Sequence, residues 1–201
     1  MNVKRRTQAE RSATTRSALV EAGRRLFAAQ GFAGVGTEAI VREASVSRGA
    51  LYHQFADKTE LFAAVLEDVE ADVARHLAEV AGAEADAGFE AAMVGAVEAW
   101  LELCGRPDIQ RVVLVDGPSV LGWPRWREIC QSHVLGLIQA VLAQGMAAGE
   151  VRRQPIVPLS HALIAVADEA AMYVAAAADP AVARAEMVAV ARQFVTALRA
   201  D

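Results

Sequence analysis

The pattern of apolar and polar residues predicts helices along almost the whole chain. Between residues 19 and 27 the apolar side chains recur every three or four positions, which is the spacing of one helix face. Gly31 follows this pattern and is predicted to end the first helix. Two short helices are predicted next, at about 37–44 and 48–55, separated by a break at 45–47. The N-terminal region is therefore predicted to contain three helices, with a tight turn between the last two.

A long helix is predicted after residue 57. The tetrapeptide Asp57-Lys58-Thr59-Glu60 is typical of a capping box, in which Asp57 caps the helix and the Glu60 side chain bonds back to the cap. The apolar residues that follow keep to one face of this helix: Leu61, Phe62, Val65, Leu66, Val69 and Val73. We expect this helix to join the N-terminal region to the rest of the chain.

Glycine and proline residues divide the rest of the chain into further helices. The predicted breaks lie at 82–88, 105–107, 117–124, 149–158 and 179–180. Only the valine-rich residues 112–115 resemble a strand, and because one strand cannot form a sheet we predict a short buried helix there. The predicted fold is all-α with about nine helices, divided into an N-terminal domain at 1–58 and a C-terminal domain at 59–201.

The composition indicates a folded core and an uneven distribution of charge. Of the 201 residues, 54% are hydrophobic and 22% are charged, which excludes a wholly disordered chain. The formal net charge is −5, yet residues 1–58 hold ten Lys/Arg and five acids, while the remainder holds ten Lys/Arg and twenty acids. A basic end on an acidic body favours nucleic-acid binding by that end, although a solvated basic surface would give the same count.

The cysteines and the apolar runs limit the classes of protein further. Cys104 and Cys130 stand far apart without a C-x-x-C motif, which excludes a disulfide-stapled scaffold and a thiolate zinc site. The first 16 residues are polar and basic and lack the apolar stretch of a signal peptide. The most apolar later stretch is interrupted by His161, Asp168 and Glu169. We therefore expect a cytoplasmic protein that does not span a membrane.

The two short helices form a predicted helix-turn-helix, whose second helix would enter the major groove of DNA. Burial of Leu51 and Phe55 would turn three side chains of that helix outward: Arg48, Tyr52 and His53. The small residues Gly49 and Ala50 would let its N-terminus approach a phosphate or a base closely. An ordinary helical hairpin with a surface tyrosine and arginine is the alternative.

These residues resemble the N-terminal domain of TetR/AcrR-type regulators over about 50 positions. The matching segments are Gly31-Phe32, Thr37-Glu38-Ala39-Ile40-Val41, Ala44-Ser45-Val46-Ser47-Arg48-Gly49-Ala50-Leu51-Tyr52-His53-Gln54-Phe55 and Asp57-Lys58. Ser45 stands where the family usually has the turn glycine. The resemblance implies that backbone phosphates are contacted by Thr37, Ser47, Tyr52 and Lys58. It also implies that base edges are contacted by Arg48, Ala50 and His53.

The resemblance also implies a homodimer formed by the last two helices, at 159–178 and 180–198. Both helices are rich in alanine and valine, and small residues let helices of two subunits approach closely. These helices could instead cap the core of a monomer. A dimer is favoured because one helix-turn-helix reads too few base pairs for useful specificity. Two copies would bind a near-palindromic operator in double-stranded DNA with half-sites about one helical turn apart, or a multiple of it.

A small-molecule pocket in the C-terminal domain is the third implication of the resemblance. The predicted ligand-contacting residues are Phe89, Met93, Trp100 and Cys104, at helical spacing on one helix, and Trp123, Trp126, His133, Met172 and Tyr173 on others. Residues 114–126 are similar to the regulatory domain of one TetR-type subgroup. Aromatic and methionine residues at helical spacing could also be plain core.

No pattern in the sequence indicates an enzyme, a cofactor or a metal site. The four histidines are scattered, and the glycine-rich segment 31–36 lacks the spacing of a dinucleotide fingerprint. A protein-binding helical module without DNA would leave the basic N-terminal region unexplained. We therefore expect a transcription regulator, with a repressor released from its operator by a small molecule as the leading hypothesis over an activator. Tilting of the long helix after residue 57 would transmit ligand binding to the DNA-binding domain.

Overall fold

The computed structural model describes residues 7–200, and these residues form nine α-helices without a β-strand, which confirms the predicted all-α fold. The basic residues Lys4, Arg5 and Arg6 of the predicted N-terminal charge lie outside this range. The helices are α1 (Gln8–Gly34), α2 (Thr37–Glu43), α3 (Arg48–Gln54), α4 (Lys58–Ala83), α5 (Phe89–Leu103), α6 (Gly117–Leu121), α7 (Trp123–Ala147), α8 (Ile156–Ala176) and α9 (Pro180–Thr196). A 3-10 helix (Ala85–Ala87) precedes α5, and a π-helical segment (Ile109–Asp116) precedes α6.

Local capping and one glycine define α1. Thr7 is its N-cap and forms a capping box with Glu10, in which each side chain bonds the other residue's amide. Gly31 interrupts the helix with φ of 71° and ψ of 165°, and a last turn continues to Gly34. A side chain at position 31 would be strained by this φ and would collide with the guanidinium of Arg111. The predicted end of the first helix at Gly31 is therefore the site of a break rather than the last helical residue.

The turn between α2 and α3 follows the prediction closely. Ser45 adopts a left-handed φ of 54°, at the position where the resemblance implies a glycine. Ser47 caps α3, because its hydroxyl accepts a hydrogen bond from the amide of Ala50 at 3.1 Å. Gly36 occupies the cap position of α2, so that Thr37 is the first residue of that helix and gives no capping bond.

The predicted capping box at the start of α4 is only half correct. Asp57 is the N-cap, and its carboxylate accepts from the amide of Glu60 at 2.9 Å. The reciprocal bond is not made, because Glu60 forms a bidentate pair with Arg125 of α7 at 2.7 and 2.9 Å. The Glu60 side chain thus joins α4 to α7 instead of closing its own helix end.

The core is continuous from the N-terminal helices to the C-terminal ones. The apolar face of α4 packs on α1, α5 and α7, and one cluster of buried side chains extends from Leu19 in α1 to Ala183 in α9. Within this core the ring centroids of Phe27 and Phe32 each lie 5.3 Å from the ring centroid of Phe62. The boundary predicted at Lys58 coincides with the start of α4, but α4 packs against both sides. The division into two domains therefore stays a prediction.

The valine-rich run at 112–115 is helical, as predicted, and belongs to the π-helical segment. Val112 and Val113 are fully buried, whereas Val115 is half-exposed. The segment packs on α1, α4, α6 and α8, so that it lies between the N-terminal helices and the body.

Candidate nucleic-acid interface and internal cavity

The outer surface of α3 presents the side chains predicted to face DNA. Leu51 and Phe55 are buried, while Arg48, Tyr52 and His53 are exposed. Gly49 is exposed as well, and a methyl group placed there would meet only the Ser47 hydroxyl at 3.9 Å. The protein itself therefore does not require a glycine at this position, although glycine is costly within a helix.

Arg48 is held by a surface ion pair in the absence of a partner. Its guanidinium lies 2.8 Å from the carboxylate of Glu38 on α2, and both side chains are 63% exposed. The hydrogen bond with Tyr52 and then the charge of Glu38 raise the pKa of Arg48. Exposed ion pairs are weak because water competes with them, so this one could be exchanged for a contact with DNA.

Lys58 makes contacts inside the protein that its sequence position did not reveal. Its ammonium group donates to the carbonyl oxygens of Phe32 and Val35, both at 2.9 Å, and lies 4.0 Å from the centre of the Phe32 ring. These bonds tie the start of α4 to the segment between α1 and α2. A phosphate contact, as predicted, would have to use the remaining N–H group or replace one of these bonds.

The predicted phosphate contacts Thr37 and Ser47 lie at the start of α2 and at the N-cap of α3. Ser47 already serves as a helix cap, and Thr37 and Ala50 are half-buried. The eight residues predicted for DNA contact are therefore assembled around one helix-turn-helix, with different degrees of exposure.

Several ion pairs join the N-terminal unit, which consists of α1, α2 and α3, to the body, which consists of α4 and all later elements. Arg24 of α1 binds Asp68 and Asp72 of α4 and Asp108 beside the π-helical segment, at 2.6 to 2.7 Å. Asp116, at the end of that segment, accepts a hydrogen bond from the amide of Phe32 at 2.6 Å. The N-terminal unit is therefore attached through both α4 and the π-helical segment.

A cavity of about 100 Å³, partly open to solvent, lies in the body between α4, α5, α7, α8 and α9, and the exposed side chains of Val166 and Phe194 form part of its wall. A volume of about 10–15 Å³ suffices for one water molecule, so this space is large enough for a small organic molecule. Its walls are almost wholly apolar, with side chains such as Val73, Leu77, Leu137 and Ile164. The polar side chains in the wall are Glu70, Cys130 and Asp168.

Two of the nine residues predicted for ligand contact line this cavity, namely Met93 and Trp100 of α5. The indole N–H of Trp100 donates to the carbonyl of Ala167 at 3.0 Å, which fixes the ring at the wall. The other seven lie elsewhere: Phe89, Cys104, Trp123, Trp126, His133, Met172 and Tyr173.

Packing explains why these seven do not reach the cavity. Phe89, at the start of α5, lines a neighbouring groove with Gly145 and Glu150 instead, and Trp126 is buried with its indole N–H on the carbonyl of Val113 at 2.9 Å. Trp123, Met172 and Tyr173 are exposed to solvent. Cys104 is buried below the cavity wall, and His133 is half-buried on α7. Helical spacing alone did not separate these environments.

The buried acids were missed in the sequence, although Glu70 interrupts the apolar stripe of α4. Burial raises the pKa of Glu70 to about 7, against the opposing effect of a hydrogen bond with Cys130. Burial raises the pKa of Asp168 to about 6, although its partner Arg127, at 3.3 Å, opposes the shift. Burial also raises the pKa of the Cys130 thiol, which therefore stays protonated. The neighbouring acid Glu169 is exposed.

A helix-turn-helix joined to a helical body with an internal cavity is an arrangement that known protein families share. Residues 19–65 match the model of the tetR family of bacterial regulatory proteins, and residues 90–198 match the tetracycline repressor-like C-terminal domain. The second match alone covers more than half of the chain. The protein therefore belongs to the TetR family, whose members are transcriptional regulators and not enzymes.

Individual relatives agree with this assignment. The transcriptional regulator CymR of Pseudomonas putida is 42% identical over 67 residues, which is 33% of each chain, so the match spans a third of that relative's length. A TetR-family regulator of Pectobacterium atrosepticum is 28% identical, with a TM-score of 0.82 over 98% of this chain and 99% of that one. RolR, solved with resorcinol, is 19% identical, with a TM-score of 0.73 over 94% and 96%, and shares the fold.

Proposed function

We propose that the protein is a homodimeric, sequence-specific DNA-binding regulator, a repressor that leaves its operator when a small molecule enters the body cavity. The observation that carries this proposal is the exposed face of α3. Arg48, Tyr52 and His53 stand there around Gly49, on a helix whose other face is buried. Such a helix can enter the major groove, where arginine and histidine can reach base edges.

The glycine at position 49 supports a close approach of DNA. Among residues 7–200, only the Ser47 hydroxyl lies near the space where a side chain would be, at 3.9 Å, so packing within this part of the chain does not require a glycine. The functional value of Gly49 is therefore room for a partner outside the protein.

The exposed faces of α8 and α9 support a dimer. Of the large apolar side chains that are exposed among residues 7–200, seven lie on these two helices: Val157, Val166, Met172, Tyr173, Val182, Val190 and Phe194. Contiguous exposed apolar surface marks interaction sites. By length and composition α8 could also cross a membrane, but one such helix is weak evidence, because core helices of soluble proteins pass the same test. A second copy of the chain would cover this face.

Two elements connect the cavity to the DNA-binding unit. The second half of α4 lines the cavity, and the first residue of α4, Lys58, holds the α1–α2 junction. The π-helical segment contributes Val113 to the cavity wall and Asp116 to the amide of Phe32. A ligand that prefers a different position of either element would shift the dimer away from the distance between its two α3 helices that fits DNA.

Selection of randomised duplex DNA by the purified protein tests the proposal directly. We expect enrichment of a near-palindrome with half-sites about one helical turn, or a multiple of it, apart. Absence of enrichment by a folded dimer, with and without small molecules, would favour a helical interaction module that does not bind DNA.

A matched pair of valines tests the dimer surface. Val190 on α9 is 44% exposed and Val115 in the π-helical segment is 51% exposed. We expect Val190→Asp to raise the dimer dissociation constant by about tenfold or more, because a charge would be buried in the interface. Val115→Asp should leave the dimer intact. Sedimentation equilibrium measures both, and an equal effect of the two changes would place the interface elsewhere.

A further inference from the structure

The cavity wall contains a carboxyl group that lacks a cationic partner. Glu70 is 2% exposed and lies at the middle of α4, in the wall of the cavity. Within the described part of the chain its hydrogen-bond partner is the Cys130 thiol, which is a weak donor. A carboxylate offers about four acceptor positions, so most of its hydrogen-bonding capacity is unused. Buried carboxylates in proteins normally have a cation or several strong donors.

Asp168, the second acid in the wall, has such a partner. Its carboxylate pairs with Arg127 at 3.3 Å, which supplies one positive charge for one negative charge. No lysine, arginine or histidine occurs among the described residues that line the cavity. When Glu70 is ionised, the cavity therefore has an excess of negative charge, located at that carboxylate.

This charge balance separates three classes of ligand. A carboxylate or phosphate would meet Glu70 and Asp168 with no cation in the wall to receive it. A neutral apolar molecule would fill the space but leave Glu70 as it is. An organic ammonium would give Glu70 the charged donor that the protein does not supply.

We propose that the cavity binds a small apolar molecule that carries one ammonium group, and that this group donates its hydrogen bonds to Glu70. The volume of about 100 Å³ suits a molecule of roughly one ring. The assignment rests on the proposed role of the cavity as the effector site. Its own chemistry, however, can be tested without DNA.

The titratable groups around Glu70 define the expected pH dependence. They are Cys130 on α7, Cys104 after α5, and Asp168 on α8 with Arg127 beside it. Both thiols stay protonated because burial raises the pKa of each. Burial raises the pKa of Glu70 to about 7, so ammonium binding near neutral pH should release part of a proton. Affinity should rise with pH until Glu70 is ionised.

Three probes of similar size and different charge provide the test: benzylamine, benzyl alcohol and benzoate. Calorimetric titration of the full chain should show benzylamine binding about ten times more tightly than benzyl alcohol, with benzoate weakest. Repeating the benzylamine titration in two buffers of different ionisation enthalpy measures the released proton. Glu70→Gln should weaken benzylamine by about 10- to 100-fold and leave benzyl alcohol within about threefold. Glu67→Gln, on the exposed side of the same helix, is the control and should change neither.

If Glu70→Gln folds poorly, the order of affinities for the three probes and the release of a proton can still be measured on the wild-type protein. Glu70→Asp, which keeps the charge, provides a second variant. Equal affinity for benzoate and benzylamine, or no effect of Glu70→Gln on benzylamine, would overturn the assignment. Failure of all three probes to bind would also overturn it. Benzylamine binding through Glu70 by a protein that selects no DNA would support the assignment and contradict the proposed regulator function.

Discussion

The two halves of α4 contrast a closed core with an open one. In the first half, Leu61, Phe62, Val65 and Leu66 are fully buried against α1 and its neighbours. From Glu70, at the middle of the helix, through the second half, the same stripe lines a cavity. One amphipathic helix therefore supports two environments, and the difference arises from the helices that pack on it. In the proposed function, the closed half would move the DNA-binding unit as a rigid body, while the open half would respond to a ligand.

The charges of the two regions differ in the same way. In the N-terminal unit the arginines Arg25 and Arg48 form exposed ion pairs that solvent or DNA can replace. In the body, Glu70 and Asp168 are removed from water, and burial raises the pKa of each. Exposed charges of this kind suit reversible binding of a polyanionic partner. Buried charge lowers stability until a matching group arrives.

The largest expected effect comes from comparing one leucine in each half of α4. Leu66 is fully buried in the closed core, and Leu77 is 5% exposed at the cavity wall. Leu66→Ala should lower the free energy of unfolding by about 3–5 kcal/mol, because it creates a new void among packed side chains. Leu77→Ala should cost about 1–3 kcal/mol, because the side chain already lacks neighbours on the cavity side.

Urea unfolding of both variants at one protein concentration measures the difference. Equal losses would mean that the helices close over the cavity in solution, and the contrast between the two halves of α4 would then disappear. A xenon or benzene titration of Leu77→Ala would show independently whether the space has grown.

The next largest effect is the pH dependence that Glu70 gives to stability. Because its pKa is raised from 4.5 to about 7 in the folded state, folding is favoured by its protonation below pH 4.5. That contribution is lost as pH rises from 4.5 through 7. The Glu70→Gln variant should lack this loss, so that its stability relative to the wild type improves between pH 4.5 and 8 by roughly 3 kcal/mol.

Unfolding measured at several pH values checks this sign and size, with Glu67→Gln as the exposed control. Asp168, whose pKa burial raises to about 6, should leave a smaller fall in stability in both variants. If the Glu70→Gln variant and the wild type lose stability in parallel, the carboxyl of Glu70 is not desolvated as the structure places it.

How much of the structure the sequence predicts depends on how far apart along the chain the interacting residues are. The helix-turn-helix could be predicted because its signals are local: the break at 45–47, the capping Ser47 and the buried pair Leu51 and Phe55. The capping bond of Asp57 was predicted for the same reason. The reciprocal bond of Glu60 was not made because Arg125, 65 positions away, binds its carboxylate.

The cavity was predicted less well because its walls come from five helices. Met93 and Trp100 share a face of α5 that points inward, and spacing identified them. Tyr173 has the same residue character but lies on the exposed face of α8. Glu70 could have been noticed as an acid within the apolar stripe of α4, three positions before Val73. Its significance depends on the absence of a cation in the opposite walls, which no local pattern contains.

The smallest effects concern the N-terminal unit, where Arg48 and Lys58 should behave differently when changed to alanine. Arg48→Ala removes a side chain that can reach a base edge, so preference at one position in each half-site should relax by about 10- to 100-fold. Lys58→Ala should weaken binding to all sequences alike and make the dependence on salt shallower. It should also lower stability, because the carbonyls of Phe32 and Val35 lose their donor.

Sequence selection at two salt concentrations, together with unfolding curves, separates these roles. A Lys58→Ala variant that loses stability but keeps the wild-type salt dependence would show that Lys58 acts as a structural tie and not as a phosphate contact. Unchanged site selection by Arg48→Ala would show that Arg48 does not read a base. Arg75→Ala, an exposed arginine in the second half of α4, is the control for general loss of positive charge. If Arg75→Ala weakened DNA binding as much as Lys58→Ala, affinity would depend on the total charge of α4, and the functional contrast between its two halves would be wrong.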